Sequence, residues 1–391
     1  MLADGTAFLP SFANVSAFET GEGLVLVDTG NFVLREHVHQ QLRAWTDQPL
    51  HTAIFSHGHV DHVFGMAPFE AEAAERGLPA PRVVAHENVP GRFERYALTA
   101  GYNGTINARQ FGLEELAFPT EFREPDVTYR KDLTLEVGGE RFELHHAKGE
   151  TDDHTWTWVP GRRALCCGDL FIWATPNAGN PQKAQRHPRD WARALREMDG
   201  LGAEMMLPGH GPPVMGAERV RAALRDTAAL LESLVEGTLA LMNSGAPLDR
   251  VLHEVRAPQE LLTKPYLKPI YDEPEFIVRN LWRLYGGWYD GDPSHLKPAP
   301  AHELAAELAE LAGGAGTLAS RARELADGGD LRLAGHLAEL AVQAEPELEE
   351  AQETRAHVNE LRVAAEASTM ARGVFSWTVA ESRRALAEAS R

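Results

Sequence analysis

The first half of the chain alternates short apolar runs with segments of helical period. Residues 23–27 are apolar throughout and lead into Asp28-Thr29-Gly30, which predicts a buried strand and its turn. Residues 33–45 then repeat at helical spacing, and residues 50–55 predict a second strand. Further strands are predicted at residues 82–85, 133–137, 141–145, 155–159 and 164–167. Strands interleaved with helices predict an α/β domain over residues 1–215.

Beyond residue 213 the strand pattern disappears. Residues 217–242 form one long helical pattern that ends at Asn243-Ser244-Gly245. We therefore predict a helical extension at residues 216–300, whose last part is rich in Pro and Gly, and a helical tail at residues 301–391.

Within the tail, residues 318–346 resemble a single tetratricopeptide-like helix pair, and one copy does not establish an array. Its packed face is predicted to carry Leu333, Leu337, Leu340, Ala341 and Ala344.

Composition narrows the classes of partner. The chain has 391 residues, 43% of them hydrophobic, and 57 acidic against 38 basic residues give a net charge of -19. That charge repels phosphate backbones and argues against a nucleic-acid partner.

Cys166 and Cys167 are adjacent in a predicted strand and point to opposite faces, which excludes a disulfide framework. With no basic and apolar leader and no run of ~20 apolar residues, we expect a cytoplasmic protein without a membrane partner.

A compact group of metal-ligand side chains follows the strand at residues 50–55. His57, His59 and Asp61 are spaced by two, so an extended loop points them the same way, and His62 follows as a helix begins. Neutral imidazole and carboxylate suit zinc and similar cations. The alternative is a polar loop that is rich in histidine by chance.

Further donors stand beside Gly or Pro at the ends of later strands, where loops gather over a rigid scaffold. They are Glu150 and His154 in one turn, Asp169 after Gly168, and His210 within Pro208-Gly209-His210-Gly211.

This order of motifs, from Asp28-Thr29-Gly30 to the histidine cluster, Glu150, Asp169 and His210, resembles the metallo-β-lactamase fold over residues 7–213. The resemblance implies an αββα sandwich that holds two Zn²⁺ ions, or other divalent cations, per chain. It also implies that His57, His59 and a third donor hold metal 1, that Asp61, His62 and His210 hold metal 2, and that Asp169 bridges the two.

Glu150 departs from the usual family pattern, which has histidine there. In having a glutamate here, the sequence resembles the type III alkylsulfatases, and this resemblance implies that Glu150 is the third ligand of metal 1. His154, four residues on, is the competing candidate; otherwise it lies beside the ligands or faces the substrate.

Residues 271–293 resemble the alkylsulfatase dimerisation domain, above all in Gly287-Trp288-Tyr289-Asp290-Gly291. Helix-helix core packing is a compatible alternative for the aromatic residues. The resemblance implies that residues 216–391 together form such a domain and that the protein is a homodimer. Three features differ from the secreted alkylsulfatases: the N-terminus lacks a leader pattern, Asp169 stands where a glutamate usually bridges, and no room remains for a sterol-carrier-like domain.

Such a site would hydrolyse its substrate. Two cations about 3.5 to 4 Å apart lower the pKa of a shared water and supply hydroxide at neutral pH. Asp61 and Asp169 are the predicted catalytic carboxylates. An anionic small-molecule ester would be held by the loop after Asp169, through Asn177, Asn180, Lys183 and above all Arg186, whose guanidinium grips a tetrahedral anion with two hydrogen bonds. A solvated loop arginine is the alternative for Arg186.

Three functions remain open from the sequence. The first is cleavage of alkyl sulfate esters to alcohol and sulfate. The second keeps the same metal site but acts on another ester, a lactone, a β-lactam or a phosphodiester. The third is a non-catalytic metal-binding scaffold, which the open and cysteine-free donor set disfavours.

Overall fold

The computed structural model describes residues 2–390 and divides them into two compact units. The first unit comprises residues up to Gly101 and Phe118–Gly287, and the second comprises Tyr102–Ala117 and the residues from Trp288 onward. The predicted domain boundary at residue 215 falls inside the first unit, because the helices that follow it share a hydrophobic core with the second sheet.

The first unit contains two six-stranded sheets. The first sheet has the order β1-β2-β3-β4-β5-β6, with parallel pairing from β3 to β6. Its strands are β1 Thr6–Leu9, β2 Val15–Thr20, β3 Gly23–Val27, β4 Leu50–Ile54, β5 Arg82–His86 and β6 Val127–Tyr129. The second sheet has the order β12-β11-β10-β9-β8-β7 and is antiparallel except where β10 pairs with β11. Its strands are β7 Asp132–Val137, β8 Glu140–Ala147, β9 His154–Val159, β10 Ala164–Ile172, β11 Met205–His210 and β12 Val214–Met215.

Helices cover the outer face of each sheet. The helices of the first unit are α1 Arg35–Trp45, α2 Val60–Val63, α3 Met66–Glu75, α4 Val89–Leu98, the start of α5 Ala100–Phe111, α6 Pro188–Asp199, α7 Ala217–Asn243, α8 Leu248–Glu254, α9 Gln259–Leu262 and α10 Pro274–Gly286, with a 3-10 turn at Pro160–Arg162. Leu24 and Leu26 of β3 pack with α1 and α3, whereas Val25 and Val27 face the second sheet. The second sheet buries its other face against α6 and α7. The predicted α/β class and αββα sandwich are confirmed.

The second unit is helical and contains most of α5. Its other helices are α11 Pro293–Leu296, α12 Ala301–Ala312, α13 Ala315–Asp327, α14 Leu331–Ala344, α15 Glu349–Ala365 and α16 Thr369–Ala389. The predicted helix pair corresponds to α13 and α14, but its predicted packed face is wrong in part. Ala341 is buried as predicted, but Leu333 is 46% exposed, because α14 buries Ala334 and Ala338 instead.

The strand that leads to Asp169 is longer than predicted. The prediction ended it at residue 167, whereas β10 continues to Ile172 past an irregularity at Gly168, and Asp169 therefore lies within the strand.

Among residues 2–390, no helix is both long and apolar enough to cross a membrane.

Candidate metal centre

Asp28 organises the entry to the histidine cluster. It follows β3 with a φ of 60°, an uncommon value for a residue other than glycine. Its carboxylate accepts hydrogen bonds from Ser56 N and Ser56 Oγ, each at 2.7 Å, and from His62 Nδ1 at 2.7 Å. Three bonds to one buried carboxylate fix the chain where β4 leads into the cluster, and they leave His62 Nε2 as the nitrogen that faces the site.

The other histidines are oriented in the same way. His57 Nδ1 lies 2.9 Å from Ser56 Oγ, whose proton is directed to Asp28, so His57 Nε2 is free of that network. His210 Nδ1 donates to the Phe12 carbonyl at 2.5 Å, which turns His210 Nε2 towards the cluster. Fixing the outer ring nitrogen selects the tautomer of a ligating imidazole.

These contacts produce two groups of potential metal ligands. The groups contain every predicted ligand except Glu150. The first group is His57, His59 and Asp169, and the second is Asp61, His62 and His210. In the first group His57 Nε2 lies 2.8 Å from His59 Nδ1 and 3.7 Å from Asp169 Oδ2.

Asp169 reaches both groups. Its Oδ1 lies 3.4 Å from His62 Nε2, and its Oδ2 lies 3.4 Å from His210 Nε2. Asp61 Oδ2 lies 3.4 Å from His210 Nε2 and 3.7 Å from His62 Nε2, which closes the second group. Five side chains thus converge around the carboxylate of Asp169, which is 4% exposed.

The protonation chemistry of these side chains fits divalent cations. Burial, reinforced by neighbouring cationic groups, holds the pKa values of His57 and His59 well below the ordinary range, so both imidazoles are neutral. Burial by itself would raise the pKa of Asp169, but His210 and His62 hold it well below its usual value. In addition, His62 Nε2 and Asp169 Oδ1 are buried and make no hydrogen bond. Burial would lower the pKa values of His62 and His210, but Asp169 and the neighbouring carboxylates raise them, that of His210 to about 10, so each carries a proton that a bound cation would displace. Ionised carboxylates, the neutral imidazoles of His57 and His59, and unpartnered ligand atoms are what a cation requires.

Glu150 lies at the edge of the first group, in the turn between β8 and β9. Its Oε1 is 3.8 Å from His59 Nδ1, and it accepts hydrogen bonds from Arg186 Nη2 at 3.1 Å and from Asn177 Nδ2. Burial raises the pKa of Glu150 to about 8, against the opposing effect of Arg186. The carboxylate is therefore beside the first group and shared with two residues of the neighbouring loop.

The competing residue His154 lies outside both groups. Its Nε2 accepts a hydrogen bond from Asp169 N at 3.1 Å, and its ring stacks on that of His57 with centroids 4.7 Å apart. The lone pair that a metal would need is thus directed at the backbone of Asp169.

The loop between β10 and α6, residues 173–187, carries the predicted anion-binding residues, and we call it the anion loop. Asn177, Asn180 and Arg186 are all buried, and Arg186 Nε makes no hydrogen bond. Burial, aided by Arg186, lowers the pKa of Lys183 to about 7. The loop therefore places a buried guanidinium and a half-buried amine near the carboxylates of the cluster.

Sequence reasoning missed a buried ion pair behind the cluster. Arg92 Nε of α4 donates to Asp153 Oδ2 at 2.6 Å, and the same carboxylate oxygen accepts the Gly58 N–H at 3.2 Å. Asp153 thereby supports the loop between His57 and His59. Because Asp153 precedes the candidate ligand His154, the sequence could have indicated that Asp153 lies near the site. Nothing in the sequence pattern of α4 indicates a role for Arg92.

Comparison with known proteins agrees with this geometry. Residues 9–210 match the metallo-beta-lactamase superfamily, and residues 248–385 match the alkyl sulfatase dimerisation family. A linear primary-alkylsulfatase from Pseudomonas sp. is 28% identical over 84% of this chain and 66% of its own length. An (R)-specific secondary-alkylsulfatase from Pseudomonas sp. is 26% identical over 89% of this chain and 56% of its own.

The solved structures show the same fold. The stereoselective inverting sec-alkylsulfatase from Pseudomonas sp. superposes with a TM-score of 0.87 at 23% identity, over 98% of this chain and 65% of that one. The chain thus spans about 56 to 66% of the length of these relatives. Because the first family match covers more than half of the chain, the chain belongs to the metallo-beta-lactamase superfamily.

Proposed function

We propose that the protein hydrolyses alkyl sulfate esters to an alcohol and sulfate at a two-metal centre. The observation that carries the proposal is the convergence of two groups of metal ligands around Asp169, directly beside the buried Glu150 and Arg186 of an anion-binding loop. A centre of this kind pairs the means to activate water with a place for the negative head of a substrate.

In this proposal, His57, His59 and Glu150 would hold one cation and Asp61, His62 and His210 a second, with Asp169 lying between the two groups. Two divalent cations, proposed to be zinc, would lower the pKa of a bound water and offset negative charge on the substrate. The protein's own contribution is to fix the ligands: Asp28, Ser56 and the Phe12 carbonyl set the ring orientations of the histidines. Asp61, 19% exposed at its side chain, would accept a hydrogen bond from the attacking water and so orient it.

The sulfate group is proposed to bind to the anion loop. The Nε of Arg186 makes no hydrogen bond, and its Nη2 donates to Glu150 Oε1 at 3.1 Å. The bond to Glu150 directs the guanidinium towards the metal ligands. Lys183, Asn177 and Asn180 add donors around it. Arginine matches tetrahedral anions through paired hydrogen bonds, so we assign it the main role in holding sulfate.

Two observations favour a sulfate ester over other substrates of a two-metal centre. The relatives that cover most of this chain are named alkylsulfatases, and residues 248–385 match the alkyl sulfatase dimerisation family. The same match supports a homodimer, which light scattering or analytical ultracentrifugation would test against the 43.0 kDa chain.

A substrate panel tests the proposal. The zinc-loaded protein is incubated with short and long primary and secondary alkyl sulfates, and sulfate and alcohol are measured together. Equal release of both, abolished by a chelator and strongly reduced in Arg186→Met, is the expected result. Hydrolysis of a lactone, β-lactam or phosphodiester without sulfate release would favour the alternative substrates. A single bound ion with no hydrolysis at all would point to a scaffold.

A further inference from the structure

The anion loop has no regular secondary structure, yet much of its backbone is buried. Buried backbone N–H and C=O groups need partners, and here many come from one segment of the helical extension, residues 267–280. At the start of the loop, Thr175 N donates to the Lys268 carbonyl at 2.9 Å and Thr175 Oγ1 donates to the Leu267 carbonyl at 2.8 Å.

Asp272 holds the middle of the loop. Its buried Oδ2 accepts the N–H of Gly179 at 2.5 Å and of Asn180 at 3.2 Å. The anion loop and the start of α10 approach each other so closely that a Cβ on Gly179 would lie 2.4 Å from Ile277 N. A glycine is needed at that contact, and the carboxylate of Asp272 defines where the loop backbone lies.

Asn280 holds the end of the loop at the residue that matters most. Its Oδ1 accepts the Arg186 N–H at 3.2 Å, and its Nδ2 donates to the Arg186 carbonyl at 3.1 Å. Asn280 is 6% exposed, so little water competes with these bonds. One amide side chain thereby pairs with both backbone groups of Arg186 and fixes the direction in which its guanidinium leaves the backbone.

We propose that Asp272 and Asn280 are positioning residues for anion recognition, which hold the anion loop so that Arg186 faces the metal cluster. Neither residue need touch substrate or metal. Both lie within residues 248–385, the region that matches the alkyl sulfatase dimerisation family, so this region also shapes the substrate site of its own chain. The inference rests on the proposed function, because it assigns the loop the task of binding sulfate.

A positioning role and a purely structural role differ in what they change. Loss of a structural hydrogen bond lowers stability and leaves the affinity for the anion unaltered. Loss of positioning weakens binding of sulfate and raises the KM for an alkyl sulfate, while the metal content and most of kcat remain.

The experiment compares Asn280→Ala and Asp272→Asn with Thr227→Ala. Thr227 is a matched control, since it is a buried polar residue of the same unit whose Oγ1 donates to Ala223 O at 2.7 Å in α7, away from the loop. Metal content, unfolding and calorimetric binding of inorganic sulfate are measured for each variant, together with KM and kcat for an alkyl sulfate. Asn280→Asp serves as the conservative variant, because it keeps the acceptor for the Arg186 N–H.

We expect sulfate affinity to fall, and KM to rise, on the order of tenfold in Asn280→Ala, since two buried hydrogen bonds are lost. Asp272→Asn and Asn280→Asp are expected to show smaller shifts in the same direction, and Thr227→Ala none. If Asn280→Ala and Asp272→Asn lose stability like Thr227→Ala but bind sulfate like the parent protein, the positioning role is wrong while the proposed function stands. If the parent protein neither binds nor releases sulfate, the proposed function fails and this inference falls with it.

Discussion

The ion pair behind the histidine cluster gives the sharpest test of how the site is supported. Arg92 and Asp153 are both buried, with 2.6 Å between Arg92 Nε and Asp153 Oδ2, and a second arm of Arg92 reaches Asp152. Burial would raise the pKa of Asp153, but Arg92 holds it at about 2. Arg92→Met keeps most of the side-chain volume and leaves a buried carboxylate without its counter-charge.

The expected cost follows from that burial. Removing one partner of a buried ion pair costs about 3 to 5 kcal/mol of the free energy of unfolding. Arg130→Met is the matched control, because Arg130 Nε lies 2.7 Å from Glu87 Oε1 but its side chain is 84% exposed. An exposed pair of that kind contributes at most about 1 kcal/mol. Adding Asp153→Asn to Arg92→Met removes the unpaired charge and keeps an acceptor for the Gly58 N–H, so about half of the loss is recovered.

Urea unfolding of chelator-treated protein, followed by circular dichroism, measures these differences. Zinc affinity is measured in parallel, and Arg92→Met is expected to weaken it because Asp153 supports Gly58 between two ligands. The supporting role of the buried ion pair is wrong if Arg92→Met is no less stable than Arg130→Met, or if the double variant is no more stable than Arg92→Met alone.

Three other predictions concern the ligands and the anion loop. Asp28→Asn weakens zinc binding about 10- to 100-fold, because a neutral amide no longer orients His62; an unchanged dissociation constant would contradict this. Gly209→Ala lowers the zinc content measured by mass spectrometry, since the new Cβ would lie 2.1 Å from Asp169 Oδ1, and full occupancy would count against it. Sulfate affinity falls as the pH rises from about 6 to 8, because burial lowers the pKa of Lys183 to about 7 and its positive charge is lost above that pH; the dependence should become weaker in Lys183→Gln, where only the ionisation of Glu150 remains, and an unchanged dependence would contradict the role of Lys183.

The fold and the candidate metal-ligand residues were accessible from the sequence for a physical reason. Strands buried on both faces give continuous apolar runs, and ligands gather at the ends of such strands next to Gly or Pro. The apolar runs of β3 and β4 therefore predicted both the first sheet and the position of the cluster from His57 to His62. Asp169 was found as a donor, but its place within β10 was not, because the irregularity at Gly168 leaves no periodic signal.

Long-range partners were not accessible from the sequence. Arg92 meets Asp153 across 61 positions, and Asn280 meets Arg186 across 94, and neither pairing follows from local pattern. The exposed Leu333 of α14 has a related cause: alanines allow helices to approach closely, so Ala334 and Ala338 formed the packed face although leucine is the more apolar residue. Which face of a helix is buried depends on its neighbours as well as on its own hydrophobicity.

We propose that the protein hydrolyses alkyl sulfates with two metal ions held around Asp169, and a zinc titration tests this most directly. Metal-depleted protein is titrated with zinc, and the rate of sulfate release from an alkyl sulfate is measured at each step together with the bound zinc. We expect sulfate release to rise with added zinc, to saturate at two ions per chain, and to be lost in Asp169→Ala. Full activity with one ion per chain, or no sulfate release with two ions bound, would contradict it.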